Sequence, residues 1–303
     1  MTWSKGLAKK NIFKVLSGRV RFEEPLKKHT TFKIGGRAQF FIEPADSADL
    51  KSALVLAKRY KIPVFVIGAG SNILISSRGV DGMILHLNSP FFKGIYNKKD
   101  NCLNVGSGLT LRHLIREARE RSLSGVEFLV GIPGTVGGAL AMNAGSWGKN
   151  IADLLERAAV MDYNGNVKIL NKKDIKFGYR KSSLAKYIIL NANFKLAKKN
   201  KAEIKENIKR YLEYRRNTQD TSLPNAGCIF KNPHRKSAGR LIDLCGLKGK
   251  SIGGACVSRR HANFILNRKH ACSYDVLRLI DLIKKRVKLK FNIELEPEIK
   301  IWQ

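Results

Sequence analysis

The sequence predicts an α+β protein with more than one domain. Helix-like and strand-like segments follow one another without the regular βαβ rhythm of a doubly wound sheet. The chain has 303 residues, which is more than one small domain usually needs and favours two or three. Hydrophobic residues make up 44% of the chain, so a sizeable core is expected.

The first two hundred residues contain most of the predicted strands. Residues 39–44 are predicted as a strand, and Asp46 or Ser47 is expected to cap a helix that runs to about Tyr60. A buried strand is predicted at 62–67. Further strands are predicted at 73–75, 83–87, 102–105, 160–161, 167–170 and 187–194, and a helix at 109–121.

The last hundred residues are predicted to hold two long helices and a final strand. Residues 202–216 have helical spacing of apolar residues and a charged outer face, typical of a connector between domains. Ser273 is expected to cap the last helix. Residues 291–302 alternate between apolar and polar side chains, which predicts a strand. The apolar stripe of the last helix is Val276, Leu279, Ile280 and Ile283.

The net charge and the cysteine content limit the classes of function that this protein can have. The formal net charge of +33 favours anionic ligands, and short lysine runs spread along the chain indicate a generally basic surface. No motif of a nucleic-acid-binding domain accompanies them, so we expect a small phosphate-bearing substrate and no nucleic-acid partner. The five scattered cysteines predict neither a disulfide framework nor a metal site. Without a membrane span or signal sequence, a cytoplasmic protein is expected, with a monomer favoured.

The first of two glycine-rich segments is VIGAGSNIL, residues 66–74. A hydrophobic strand leads into Gly68, Ala69, Gly70, Ser71 and Asn72, where successive backbone N–H groups can form a phosphate nest. The segment is not a Rossmann fingerprint, because a strand rather than a helix is predicted to follow it. A plain tight turn remains the alternative.

The second segment, GIPGTVGGALAMNAGSWG, covers residues 131–148. Its apolar residues distinguish it from a flexible linker. They indicate a buried backbone that packs closely against another part of the protein or a ligand. A short helix is expected after Pro133, Gly134 and Thr135, with N–H groups that face an anion. Close packing of a helix on a sheet is the alternative. Two such segments together predict a dinucleotide ligand.

An ordered set of motifs resembles the UDP-N-acetylenolpyruvoylglucosamine reductase family, in its shorter subtype. The resemblance covers the chain from about residue 29 to its end. The motifs are HTTFKIGGRA (29–38), GAGSNIL (68–74), GIPGTVGG (131–138), GYRKS (178–182), GCIFKNP (227–233), GGACVS (253–258), HANFI (261–265) and LEPE (295–298).

This resemblance implies an FAD-binding fold of two subdomains, of the PCMH/vanillyl-alcohol-oxidase type, plus a third α+β substrate domain. The implied boundaries are 1–84 (with a C-terminal strand 291–303), 85–199 and 200–290. FAD and NADPH are the implied cofactors, and a UDP-sugar is the implied substrate. The implied FAD-binding residues are Gly68, Ala69, Gly70, Ser71, Asn72, Pro133, Gly134, Thr135, Gly137, Gly138, Asn143 and Gly145. The implied substrate-binding residues are Tyr179, Lys231 and Asn232.

The resemblance also implies the reaction and its catalytic residues, which fall on Arg180, Cys228 and Glu298. In the family, an enolpyruvyl ether is reduced to a lactyl ether, and negative charge develops beside the substrate carboxylate. The permanent charge and rigid fork of Arg180 suit that carboxylate. Glu298 is expected to act protonated or through a water, because an ionised carboxylate would repel the developing anion.

Cys228 and Lys300 depart from the family pattern. The family most often has serine at Cys228, and a protonated thiol, a stronger acid than an alcohol, can also donate a proton. Nearby cations would favour the thiolate, which cannot donate. Lys300 stands where the shorter subtype can carry arginine.

Two other functions are consistent with parts of the sequence. An oxidase with the same FAD-binding fold is the first, although such enzymes often tether the flavin through His or Cys, and the glycine segments offer neither. A basic nucleic-acid-binding protein is the second. A yellow preparation that NADPH bleaches would exclude the second function. Reoxidation by the enolpyruvyl UDP-sugar would exclude the first.

Overall fold

The computed structural model describes residues 15–97, 101–233 and 236–303. Short 3₁₀ turns lie at Leu26–His29, Glu127–Leu129, Lys172–Asp174 and Ser183–Lys186. The α-helices of these residues are α1 (Ser47–Arg59), α2 (Pro90–Lys93), α3 (Leu111–Glu120), α4 (Val136–Ala141), α5 (Ile151–Leu154), α6 (Lys201–Thr218), α7 (Ala238–Leu244) and α8 (Ser273–Phe291).

The strands are numerous and mostly short. The longer ones are β1 (Arg19–Pro25), β2 (Arg37–Glu43), β5 (Val80–His86), β7 (Cys102–Gly106), β11 (Leu155–Met161), β12 (Val167–Asn171) and β15 (Ile188–Lys195). The others are β3 (Val64–Ile67), β4 (Ile73–Ile75), β6 (Ile95–Asn97), β8 (Leu123–Ser124), β9 (Gly145–Ser146), β10 (Lys149–Asn150), β13 (Phe177–Gly178), β14 (Lys181–Ser182), β16 (Ala197–Lys198), β17 (Asn225–Cys228), β18 (Ser251–Ile252), β19 (Ala255–Val257), β20 (Phe264–Asn267) and β21 (Lys300–Trp302).

The chain divides into two compact units. The first contains the described residues up to Glu23, then Gln39–Gly68 and Asp81–Leu212. The second contains Glu24–Ala38, Ala69–Val80 and Glu213–Gln303. The three domain boundaries expected from the sequence stay a prediction. Helices and strands mix irregularly in both units, as the α+β class requires.

The first unit is built on two sheets. One has the strand order β1-β2-β5-β3 and the other the order β12-β11-β15-β7-β6. One hydrophobic core contains Leu50, Leu54 and Met83 together with Met161 and Ile188 of the second sheet. Both sheets therefore share buried apolar side chains.

Local sequence signals explain the helices of this unit. The Asp46 side chain accepts a hydrogen bond from the Asp49 N–H at 2.9 Å and caps α1, as expected. Thr110 caps α3 in the same way, through the His113 N–H at 3.2 Å. The strand predicted at 62–67 is wrong in its start and burial. It begins at Val64, after Pro63, and Val66 is 36% exposed.

The second unit combines a sheet of order β17-β20-β19-β18 with the parallel pair β4–β21. Helix α8 buries the expected stripe of Val276, Leu279, Ile280 and Ile283 in its core. The predicted cap is wrong. Cys272 is the N-cap, and its N–H donates to the Asp275 carboxylate at 3.1 Å.

The strand predicted for 291–302 is also wrong in extent. Helix α8 continues to Phe291 and ends at Asn292, which is left-handed with φ 55°. Only 300–302 form a strand. Pro297, which has no N–H to donate, interrupts the alternating segment.

A bilayer span needs a long and predominantly apolar helix. None of the helices in the described ranges meets that requirement.

Candidate active site

The two glycine segments meet within the first unit, at Gly68 and Thr135. A Cβ added to Gly68 would lie 2.6 Å from the Thr135 Oγ1. Thr135 itself is held by a β-bridge to Thr110, and the neighbouring Gly134 carbonyl accepts from the Leu111 N–H at 2.9 Å. Glycine at 68 is therefore required by the close approach of the second segment.

The short helix expected in the second segment is present as α4, and the N–H groups of its first turn donate to protein acceptors. The N–H groups of Val136 and Gly137 donate to the carbonyls of Leu109 and Ser107, at 2.9 and 2.8 Å. The Gly138 N–H donates to the Thr135 Oγ1 at 3.3 Å. Protein acceptors therefore take these three donors, and the anion site expected at this helix end stays a prediction.

The first glycine turn has the opposite character. In the parts of the chain that the structure describes, the N–H groups of Ala69, Gly70 and Ser71 have no acceptor. Gly70 has a left-handed φ of 61°, and such turns direct successive N–H groups toward one point. A phosphate therefore fits this turn better than the second segment.

Asn72 ties the first turn to the C-terminal segment within the second unit. Its Nδ2 donates to the Glu298 carbonyl at 3.2 Å. Its own carbonyl accepts from the Lys300 N–H at 2.9 Å. Hydrogen bonds therefore bring the predicted cofactor turn next to the chain segment that carries the predicted catalytic glutamate.

Tyr179 and Arg180 form the tip of a hairpin in the first unit. Gly178 pairs with Lys181, so the two residues between them make the turn. Arg180 is left-handed, with φ 53°, and its guanidinium carbon lies 5.2 Å from the Tyr179 ring centroid. Tyr179 is 51% exposed. Both side chains are therefore presented at the end of a tight turn.

Asn143 connects the second glycine segment to that hairpin. It is buried, and its Nδ2 donates to the Gly178 carbonyl at 3.1 Å. Its Oδ1 accepts from the Ala152 N–H at 3.4 Å. Protein groups therefore occupy both ends of the amide. Gly145 lies a little further on in the β9–β10 hairpin, where it pairs with Asn150.

Cys228 and Glu298 come together within the second unit. Cys228 ends β17, and the carbonyl of the next residue, Ile229, accepts from the Glu298 N–H at 2.7 Å. One step further, Phe230 forms a β-bridge with Pro297. Cys228 is half-buried. A thiol and a carboxyl are thus carried on two adjacent antiparallel segments.

The two predicted substrate-binding residues of this unit have protein partners. The Lys231 ammonium is paired with the Glu296 carboxylate, and the Lys231 N–H donates to the Glu296 carbonyl at 2.9 Å. The Asn232 Oδ1 accepts from the Ala238 N–H at 3.0 Å, at the start of α7. Lys231 would have to exchange its partner to bind a substrate phosphate.

Sequence reasoning assigned no role to a buried polar group behind this segment. Asp220 accepts a hydrogen bond from the Ser258 hydroxyl at 2.6 Å. Burial raises the pKa of Asp220, but hydrogen bonds from Ser222 and Ser258 and the charge of Arg260 outweigh it and leave this pKa below its ordinary value. In the sequence, only the motif that contains Ser258 pointed to this buried pair, because Asp220 lies 38 positions away.

Two family models match the chain. Residues 38–171 match the model described as FAD binding domain. Residues 217–302 match the C-terminal domain of UDP-N-acetylenolpyruvoylglucosamine reductase. The fold, the glycine turns and these matches together define an FAD-dependent oxidoreductase.

Individual relatives narrow the class to a family. The UDP-N-acetylenolpyruvoylglucosamine reductase of Geotalea uraniireducens is 42% identical over 287 residues, covering 94% of this chain and 95% of its own. That of Caldanaerobacter subterraneus is 41% identical and covers 94% of each chain. The crystal structure of the Thermus caldophilus enzyme matches with a TM-score of 0.81 and 36% identity, over 95% of this chain and 100% of its own. The chain belongs to the UDP-N-acetylenolpyruvoylglucosamine reductase family.

A similar fold occurs outside this family. A glucose dehydrogenase, Phl p 4.0202, matches with a TM-score of 0.51 and 15% identity over 64% of this chain and 44% of its own. At this identity the match concerns the fold alone. The predicted FAD-binding fold is confirmed by the match to the FAD binding domain model and by the Thermus caldophilus structure.

Proposed function

We propose that this chain reduces the enolpyruvyl group of UDP-N-acetylglucosamine enolpyruvate, with FAD and NADPH, to give UDP-N-acetylmuramate. The observation that carries the proposal is the hydrogen bond from the Glu298 N–H to the Ile229 carbonyl, at 2.7 Å. It aligns Cys228 and Glu298 inside the region that matches the reductase C-terminal domain. The flavin supplies hydride chemistry between NADPH and the enolpyruvyl double bond.

The residues present fit FAD. The first turn offers backbone N–H groups at Ala69, Gly70 and Ser71, which suit a pyrophosphate. In the second segment Pro133 and Gly138 are exposed although the segment is apolar. Among the described residues outside its own helix, a Cβ added to Gly138 would contact only the Thr135 Oγ1, at 3.4 Å. An apolar, largely side-chain-free surface suits a flat ring.

The other predicted cofactor residues act by shaping these two turns. Asn143 is engaged by Gly178 and Ala152, so we assign it a positioning role between the cofactor segment and the Arg180 hairpin. Gly137 packs on Ser107, where an added Cβ would lie 3.0 Å from the serine Cβ. Both residues fix the backbone without offering a free side-chain group.

We assign Arg180 to the substrate carboxylate. Its permanent charge and planar fork stabilise negative charge that spreads into a carboxylate. It lies at the tip of a tight hairpin, with its guanidinium carbon 5.2 Å from the centroid of the Tyr179 ring. Its left-handed backbone costs about 1 kcal/mol or more at a non-glycine residue.

We assign Cys228 to proton donation at the carbon next to the carboxylate. A protonated thiol can donate directly, and the half-buried position limits competition from bulk water. Glu298, on the adjacent segment, would hold a proton or a water beside that reaction centre. Lys231 would exchange Glu296 for the substrate, since its ammonium is a flexible point charge suited to phosphate.

The test is a spectroscopic assay of the purified protein. We expect a yellow preparation whose flavin absorbance is bleached by NADPH and restored by the enolpyruvyl UDP-sugar, with UDP-N-acetylmuramate as product. A preparation that binds flavin but is reoxidised only by oxygen would favour the oxidase alternative. The cytoplasmic location and the monomeric state stay predictions.

A further inference from the structure

The strand that carries Cys228 pairs irregularly with its neighbour. Strand β17 pairs with β20 at Asn225↔Leu266 and again at Cys228↔Phe264, with a register shift between the two pairs. Gly227 within the shift is left-handed, with φ 75°. A bulge of this kind leaves one residue without a partner in the ladder and bends the strand locally. The regular strand ends at Cys228 itself.

Beyond Cys228, one buried side chain replaces the ladder. The Asn263 Oδ1 accepts from the Phe230 N–H at 2.9 Å, and its Nδ2 donates to the Phe230 carbonyl at 2.8 Å. The Asn263 carbonyl also accepts from the Ile229 N–H at 2.8 Å. Asn263 is 3% exposed. Its amide therefore acts as a peptide group added to the edge of residues 229–230.

Asn263 is itself fixed by the buried polar group behind it. The Ser258 hydroxyl donates to Asp220 and accepts from the N–H groups of Arg260 and His261, both at 3.0 Å. The His261 Nδ1 in turn accepts from the Asn263 N–H at 3.3 Å. The turn that presents Asn263 is thus anchored at its start and tied along its length.

We propose that Asn263 is a positioning residue for proton donation. It sets where the Cys228 thiol and the Glu298 carboxyl lie, because the backbone between them, at Ile229 and Phe230, bonds to Asn263 on one side and to residues 297–298 on the other. The proposal rests on the assignment of Cys228 as donor. Displacing a reacting group by about 1 Å can cost about 100-fold in rate, so loss of the Asn263 bonds acts on this step.

The test compares the two half-reactions of the FAD-loaded protein by stopped flow. Asn263→Asp keeps an acceptor for the Phe230 N–H but turns a second oxygen toward the Phe230 carbonyl. We expect flavin bleaching by NADPH at the wild-type rate and reoxidation by the enolpyruvyl UDP-sugar slowed about 10- to 100-fold. The solvent deuterium isotope effect on reoxidation is expected to rise, because proton donation becomes slower.

The matched control is Asn267→Asp, the same change at the last residue of β20, the strand that begins directly after Asn263. The Asn267 amide donates to the Phe32 carbonyl at 3.0 Å and accepts from the Ala271 N–H at 2.8 Å, away from Cys228. This control is expected to lower the melting temperature without slowing reoxidation. The positioning role is overturned if the flavin of Asn263→Asp is reoxidised at the same rate as that of Asn267→Asp. It is also overturned if the rates of flavin reduction and reoxidation in Asn263→Asp fall by the same factor.

A second variant covers the case in which Asn263→Asp does not fold. Asn263→Gln keeps the amide on a longer stem, and the same selective slowing of reoxidation is expected, with wild-type reoxidation overturning the role. Cys228→Ala separates the two proposals. Normal reoxidation in Cys228→Ala removes the donor assignment itself. Slow reoxidation in Cys228→Ala together with wild-type reoxidation in the Asn263 variants removes only the positioning role.

Discussion

Gly68 and Thr135 approach so closely that a methyl group on Gly68 would lie 2.6 Å from the threonine hydroxyl oxygen. The same hydroxyl caps helix α4 by accepting from the Gly138 N–H. One oxygen atom therefore links the first glycine turn, the second glycine segment and the start of a helix.

Gly68→Ala and Thr135→Ala are expected to be coupled. Each single change is expected to lower the free energy of unfolding, by about 1–3 kcal/mol for the clash and about 1 kcal/mol for the lost cap. In the double variant the clash is relieved, so the loss is expected to be smaller than the sum. Urea unfolding of the four proteins without flavin measures the coupling. Strict additivity would show that the two residues do not meet.

Removing the thiol of Cys228 is expected to separate the two halves of the reaction. Cys228→Ala retains bleaching by NADPH, while product formation falls at least about 100-fold because the proton donor is lost. Cys228→Ser retains an O–H donor and a substantial part of the turnover. Cys245→Ala, which removes another half-buried thiol of the same unit, serves as the control. Wild-type turnover in Cys228→Ala would contradict the assignment.

Arg180→Lys tests whether the guanidinium fork is needed. Lysine keeps the positive charge and would have the same energetic cost for the left-handed backbone at this position. The variant therefore tests only whether the planar geometry of the guanidinium is needed. We expect kcat to fall about 100-fold, with unchanged flavin content. The neighbouring exchange Lys181→Arg, at an exposed position of the same hairpin, is expected to leave kcat unaltered. Equal kcat values for the two variants would exclude the carboxylate role.

Asp220 is expected to make stability depend on pH in the acid range. Its pKa is lowered in the folded protein, because hydrogen bonds from Ser222 and Ser258 and the charge of Arg260 outweigh the effect of burial. The unfolded chain therefore binds a proton first, near its ordinary pKa of about 4. The stabilisation is present above that value and is lost as the pH falls through the folded pKa.

Asp220→Asn measures this contribution. At pH 7 it is expected to lower the free energy of unfolding by about 1–3 kcal/mol, since a charged acceptor of the Ser258 hydroxyl is replaced by a neutral one. At pH 3 the difference from wild type is expected to shrink. Urea titrations at the two pH values check the sign, and a difference that grows on acidification would reverse the conclusion.

Helix α1 and the core stripe of α8 were predictable because their signals are local. Asp46 caps the helix that follows it, and the apolar spacing of α8 matches one buried face. The structure of the C-terminal segment could not be predicted in this way, because its hydrogen bonds go to residues that are distant in sequence. The N–H groups of Glu298 and Lys300 donate to the carbonyls of Ile229 and Asn72, and no local alternation contains that information.

The candidate site divides in the same way. The motif around Cys228 identifies the family, but the bonds from Asn263 to Phe230 could be found only in the folded chain, since they join residues 33 positions apart. In the second glycine segment, the sequence predicted free N–H groups that the folded chain does not have. Its sequence predicts a free helix N-terminus, whereas the carbonyls of Ser107 and Leu109 take those donors through tertiary packing.

The parallel pairing of β4 with β21 affects how the protein is made. Asn72 and Glu298, beside these strands, are 226 positions apart, so a ribosome adding about 5–20 residues per second needs roughly 10–45 s between them. During that interval Ile73–Ile75 is translated without its partner strand. The buried apolar residues of β4 therefore stay unpaired in the nascent chain until Lys300–Trp302 has been synthesised.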